Sequence, residues 1–138
     1  MERARQILSR FPAHIFSLVT FLVILWLTLA PRPLGEEPPR FFEGADKIVH
    51  AIMFGGFSWT LLLDWQRKHG WKKVFPYRGL VYALGSALLG IAIEFTQAGM
   101  GLGRGFEYAD IIADTAGAFI FTWIWMILQK FWDENARM

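Results

Sequence analysis

The chain has no cysteine among its 138 residues, which excludes disulfide bonds and thiolate metal sites and leaves the redox compartment undetermined. Charged side chains are also scarce: they make up 19% of the sequence, below the roughly 25% usual in soluble domains. The formal net charge of +2 is too small to indicate a nucleic-acid partner. No internal repeat, low-complexity tract or second soluble domain interrupts the sequence. These features exclude a disulfide-rich secreted domain and a basic nucleic-acid-binding module.

Apolar residues are abundant instead. Hydrophobic residues make up 54% of the chain and aromatic residues 17%, and the mean hydropathy is +0.33. Four apolar segments cover residues 11–30, 46–65, 77–98 and 110–131. A helix of about 20 residues is about 30 Å long, which matches the hydrocarbon core of a bilayer. The sequence therefore predicts an all-α fold, a four-helix transmembrane bundle that forms one domain over residues 1–138.

The first apolar segment has a second interpretation. It follows a head with three arginines and ends in the small residue Ala30, a pattern that is also typical of a signal peptide. Pro31 makes a poor cleavage context, and three more apolar segments follow. We therefore interpret the segment as an uncleaved first transmembrane helix.

The distribution of Lys and Arg predicts the orientation. The head, the connection between the second and third segments, and the tail hold ten of these residues, whereas the other two connections hold four. By the positive-inside rule, both termini lie in the cytoplasm. The first and third connections then lie together on the extracytoplasmic side.

Polar residues concentrate at the helix ends that face this outer side. The second segment opens with three of them, the third closes with two, the fourth opens with two, and a glycine-rich connection holds an arginine: Asp46, Lys47, His50, Glu94, Gln97, Asp110, Asp114 and Arg104. Spacings of three and four residues place the members of each helix on one face. Ionisable groups in membrane segments are costly and often functional. We expect one outward-facing polar cluster; simple interhelical hydrogen bonding is the alternative.

The same residues carry a resemblance to a known family. Residues 46–54, DKIVHAIMF, fit a D-K-x-x-H-x-x-x-F pattern, and Glu94 with Gln97 fit E-x-x-Q. Arg104, Asp110 and Gly117 follow at later R, D and G positions. The chain resembles the VanZ-like family of small bacterial integral membrane proteins over residues 46–118. It departs at Asp114, where the family commonly has Asn, and it lacks the usual proline before Arg104.

The resemblance implies a multi-pass protein of the bacterial cytoplasmic (inner) membrane that acts in the cell envelope. The family's namesake is linked to low-level resistance to the glycopeptide antibiotic teicoplanin, and its molecular activity is unsettled. Asp114 adds a negative charge to the family pattern, so the polar site need not be an exact copy.

Our preferred hypothesis is recognition of a lipid-linked anionic headgroup, with a membrane lipid or a lipid-linked cell-wall precursor as the partner. Lys47, His50 and Arg104 would contact the anion, because cationic side chains suit phosphate and carboxylate groups. The remaining substrate-binding candidates are Asp46, Gln97 and Asp110. Alternatively, Arg104 pairs with Glu107 or Asp110 and only neutralises the cluster.

Two other functions stay open. A headgroup hydrolase or transferase would use Glu94 and His50 as acid and base, with Asp114 as the third catalytic candidate; no activated Ser or Cys nucleophile is apparent. A small proton- or ion-coupled carrier would need a homo-oligomer, since four helices make a thin shell. Carboxylates and an imidazole could hold a divalent cation, but H-E-x-x-H is missing, so the metal and cofactor remain unassigned.

Overall fold

The computed structural model describes residues 2–31, 33–35, 42, 44–101 and 105–135. Over these residues it contains five helices and no strand: α1 (Glu2–Leu8), α2 (Ile15–Leu29), α3 (Ala45–Lys68), α4 (Pro76–Met100) and α5 (Tyr108–Asn135). The prediction of an all-α fold is therefore confirmed for the described part of the chain.

The predicted first span, residues 11–30, is wrong at its start. The residue before a proline is steered away from helical backbone angles, so Phe11, which precedes Pro12, cannot open the helix easily. His14 then adopts a left-handed conformation with φ of 64°, and α2 begins only at Ile15. Its 15 residues extend about 22 Å, less than the thickness of a bilayer core.

Helix α1 was not predicted, because the first residues are polar. It is held to the connection after α3 by Trp71. The Arg5 guanidinium lies 5.6 Å from the centre of the Trp71 ring, and the indole Nε1 donates a hydrogen bond of 3.1 Å to Ser9 Oγ. Gly70 and Trp71 both have positive φ, which turns the chain back toward α1. A tertiary contact thus secures a helix that its own seven residues would not stabilise.

Three of the described helices are long and apolar enough to cross a membrane: Ala45–Lys68, Pro76–Met100 and Tyr108–Phe131. They contain the predicted segments 46–65, 77–98 and 110–131, and each begins one or two residues before its segment. That α2 also spans a membrane, as a four-helix transmembrane bundle requires, stays a prediction, and so does the cytoplasmic position of both termini.

Helix α3 packs most extensively on α5. Gly117 allows this approach, because a Cβ at this position would overlap the backbone of Ala51. One buried cluster lies toward the end of α3 and consists of Leu62, Trp65, Val74 and Trp125, and a second lies between α2, α3 and α4 and consists of Ile24, Phe54 and Ile93.

Hydrogen bonds between helices define two opposite ends. At one end, the start of α2 meets the end of α3 through Ser17 and Asp64. At the other end, Thr28 near the end of α2 meets Gln97 near the end of α4, and Lys47 at the start of α3 meets the start of α5. The start of α3, the end of α4 and the start of α5 therefore lie at the same end of the molecule.

Candidate functional site at the helix ends

Lys47 lies at the centre of the more exposed part of the cluster at this end of the molecule. Its ammonium donates hydrogen bonds to Asp46 Oδ2 at 2.8 Å, to Glu107 Oε2 at 2.5 Å and to Asp110 Oδ1. The Asp46 and Glu107 side chains are exposed, whereas that of Asp110 is largely buried. The chain thus supplies its own cation to three carboxylates.

His50 lies one turn deeper on α3 and faces two acids of α5. Its Nδ1 is 2.9 Å from Asp114 Oδ1, and its Nε2 is 3.7 Å from Asp110 Oδ2. Asp110 and Asp114 are spaced four residues apart, so they stack on one face of α5 and meet both edges of the ring. Asp110 consequently links the ammonium of Lys47 to the imidazole of His50.

Glu94 completes the cluster from α4. Its side chain is 1% exposed, and its Oε2 accepts a 3.1 Å hydrogen bond from the backbone N–H of Glu107. This bond joins the end of α4 to the residue before α5. One oxygen of Glu94 lies within 4.8 Å of ligand atoms of both His50 and Asp110.

Gly90 makes room for the deepest acid. Asp114 is 1% exposed, and a Cβ at Gly90 would lie 2.6 Å from its Oδ2. Gly90 stands one turn before Glu94 on α4, so the missing side chain admits the carboxylate between α3 and α4. Glycine weakens a helix, but at position 90 it is needed because a larger side chain would collide with the Asp114 carboxylate.

A family model described as VanZ/LLP1 matches residues 3–129. The chain belongs to the VanZ/LLP1 family. No curated protein and no solved structure matches it. The matched region of this VanZ/LLP1 protein includes the whole cluster described above.

The structure brings six of the eight predicted site residues of this VanZ/LLP1 protein together: Asp46, Lys47, His50, Glu94, Asp110 and Asp114. Gln97 is directed elsewhere, because its side-chain amide donates a 2.7 Å hydrogen bond to the Thr28 carbonyl of α2. Its role in substrate binding stays a prediction. Arg104 lies outside the described residues, so its role in binding and its pairing with an acid both stay predictions.

Glu107 is a member of the cluster that was not among the predicted site residues. From the sequence, Glu107 was considered only as an acid with which Arg104 could pair, because it lies in the connection before the fourth apolar segment. Its position three residues before Asp110 was the available signal, since both acids contact the same ammonium in the structure.

A second polar cluster of this VanZ/LLP1 protein, at the opposite end, was also missed. The Asp64 carboxylate accepts hydrogen bonds of 2.8 Å from both the N–H and the Oγ of Ser17, and one of 2.5 Å from Arg67. Arg67 also donates to the carbonyls of Leu8 and Phe11. The bonds from Ser17 join α2 to α3, and those from Arg67 to Leu8 and Phe11 join the end of α1 and the turn that follows it to α3, so this cluster holds the fold together.

Proposed function

We propose that the protein is a multi-pass protein of the bacterial cytoplasmic membrane that recognises the anionic headgroup of a membrane lipid or lipid-linked cell-wall precursor. Both termini would lie in the cytoplasm and the cluster on the extracytoplasmic side. The observation that carries the proposal is the convergence of Lys47, His50 and their acids at one end of three membrane-length helices. Ionisable groups that gather within membrane-spanning helices are characteristic of functional sites.

The exposure of the carboxylates around Lys47 supports an anion as the ligand. Asp46 and Glu107 are exposed, and bonds between exposed charges contribute little, because water and salt screen them. A phosphate can therefore replace either carboxylate on the ammonium at small cost. The bond to the largely buried Asp110 keeps Lys47 in position during the exchange.

Lipid binding by the purified protein tests this proposal. In nanodiscs of phosphatidylcholine, we expect saturable binding of a fluorescent polyprenyl phosphate and a roughly tenfold loss on Lys47→Gln, the scale of one charge-assisted hydrogen bond. Lys68→Gln is the matched control, because Lys68 is exposed at the opposite end of α3. Equal effects of the two substitutions would contradict headgroup recognition at the cluster.

A link to teicoplanin resistance would follow if the headgroup belongs to a cell-wall precursor. Expression in a sensitive host should then raise the inhibitory concentration of teicoplanin, and Lys47→Gln should remove the increase. An unchanged inhibitory concentration, together with normal binding of polyprenyl phosphate, would point to an ordinary membrane lipid as the ligand.

A second candidate function is hydrolysis or transfer of the same headgroup. The hydrogen bond between His50 and Asp114 favours it, since a carboxylate that orients an imidazole is the arrangement of a general base. Glu94 would serve as the acid. Release of phosphate from a polyprenyl pyrophosphate, lost on His50→Gln, would support this function; no release under conditions in which the lipid binds would exclude it.

A further inference from the structure

Two groups of side chains in the described part of the chain have the composition and spacing of a metal site, and they differ in one respect. Asp46, Glu107 and Asp110 surround the ammonium of Lys47, so a cation of the chain already fills this group. The other group consists of His50, Glu94 and Asp110. Lys47 bonds to Oδ1 of Asp110, whereas Oδ2 is directed toward His50. The second group therefore has an available carboxylate oxygen that Lys47 does not use.

Asp114 is a second, independent observation that points to a cation in this region. Its side chain is 1% exposed, and its Oδ1 is bonded to His50. Its Oδ2 has no hydrogen-bond donor among the described residues and lies beside Gly90, one turn before Glu94 on α4. A buried, half-satisfied carboxylate next to two further acids is costly unless a positive charge lies nearby.

We propose that His50, Glu94 and Asp110 bind one divalent cation, of the class of Zn²⁺ or Mn²⁺. An imidazole nitrogen with two carboxylate oxygens suits these ions better than Mg²⁺ or Ca²⁺, which prefer oxygen ligands alone. Cation binding stands on the geometry of the cluster. Only its consequence, that the cation contacts the anionic headgroup beside Lys47, rests on the proposed function.

The separations fit a shared ion. Two ligand atoms that are each about 2.1 Å from one ion lie at most about 4.2 Å apart. Nε2 of His50 and Oδ2 of Asp110 are 3.7 Å apart, within that limit. One ligand atom from each of the three residues lies within 4.8 Å of the others, so side-chain rotations of about 1 Å close the site.

Asp114 acts as a positioning residue in this site. A metal-binding histidine commonly donates its second N–H to a carboxylate, which fixes the tautomer and the orientation of the ring. With Nδ1 donating to Asp114 Oδ1, the lone pair of Nε2 is directed toward Asp110. The Asp114 carboxylate therefore increases the basicity of the histidine and the negative charge around the ion.

Titration of the tag-free protein in detergent with Zn²⁺, Mn²⁺ and Mg²⁺ tests the site without lipid. We expect one Zn²⁺ or Mn²⁺ per chain and weaker binding of Mg²⁺. Glu94→Gln should weaken Zn²⁺ binding by at least tenfold, because it removes a ligand charge. His69→Gln, which removes an exposed imidazole after the opposite end of α3, should keep the affinity of the unchanged chain. Equal losses in the two variants, or no bound cation, would overturn the proposal.

The positioning role of Asp114 has its own readout. Asp114→Asn should weaken cation binding by about 10–100-fold, the range for residues that orient a metal-bound histidine, and should shift the visible spectrum of bound Co²⁺. A cooperative thermal unfolding curve, recorded on the metal-free protein, shows whether each variant is folded. An unchanged Co²⁺ spectrum in a folded Asp114→Asn protein would contradict the assignment.

Lipid binding with and without EDTA separates this inference from the proposed function. Polyprenyl phosphate binding that EDTA weakens in the unchanged chain but not in Glu94→Gln would support both. Lipid binding without a stoichiometric cation would overturn the metal site and leave headgroup recognition standing. A bound cation without lipid binding would support the metal site and overturn headgroup recognition.

Discussion

At the scale of single residues, Asp64 is completely buried and paired with a guanidinium that is itself 3% exposed. Removing one partner of a buried pair is far more damaging than removing a surface ion pair, because a desolvated charge is left behind. We expect Asp64→Asn to lower the free energy of unfolding by about 3 kcal/mol, the low end for buried pairs, since backbone carbonyls still contact Arg67. Denaturant titration in micelles measures this change.

Ser17→Ala is the matched comparison. It removes the Oγ hydrogen bond to Asp64 but keeps the bond from the backbone N–H, so we expect a loss of about 1 kcal/mol. A loss in Asp64→Asn no larger than in Ser17→Ala would show that the ion pair does not stabilise the junction of α2 and α3.

The sequence identified most cluster residues because each lies at a helix end that periodicity can place. Asp46 and His50, or Asp110 and Asp114, need only a helical turn to share a face. It could not show that the ammonium of Lys47 would be shared by three acids, because two of them lie 60 and 63 positions away in the sequence. Gln97 failed to join the cluster for a similar reason: α2 lies beside α4 and offers the Thr28 carbonyl.

At the scale of helices, the approach of α3 to α5 depends on Gly117. An added methyl group would overlap the backbone of Ala51, which cannot rotate away as a side chain can. We expect Gly117→Ala to lower the free energy of unfolding by about 1–3 kcal/mol, the usual cost of overpacking, and to weaken Zn²⁺ binding, because it separates His50 from Asp110. Thermal unfolding in detergent and the metal titration measure the two effects.

Gly85→Ala provides the control for this prediction. Gly85 is an exposed helical glycine of α4, and a Cβ there meets no atom of the described structure within 4 Å. Alanine favours helix over glycine by up to about 1 kcal/mol, so this variant should be unchanged or more stable. Destabilisation by both substitutions would mean that helix packing at Gly117 is not the cause.

The long helices were predictable as elements, and α1 and the start of α2 were not. Length and apolar composition alone define α3, α4 and α5. The start of α2 depends on the left-handed backbone of His14, and α1 depends on the contact of Arg5 with Trp71. Neither a rare backbone conformation nor a contact between distant residues leaves a periodic signal in the sequence.

At the scale of the whole molecule, polarity is distributed as expected in a bilayer. Large apolar side chains such as Leu88, Ile112 and Trp123 are exposed, whereas Glu94 and Asp114 are buried. In water, such an apolar outer surface would make the protein aggregate. In a bilayer, the same surface contacts the lipid chains favourably. The direction in which the helices cross the membrane stays a prediction from the charges of their connections, and it can be tested separately.

The absence of native cysteine makes the topology directly measurable, since an introduced cysteine is the sole thiol of the chain. We expect Leu34→Cys, in the first connection, to react with a membrane-impermeant maleimide in intact cells. Lys72→Cys, in the basic connection after α3, should react only after permeabilisation, because Lys and Arg concentrate on the cytoplasmic side. Both positions are exposed in the structure, so burial does not limit either reaction. The reverse pattern would place the acids of the cluster in the cytoplasm, where an extracytoplasmic headgroup could not reach them.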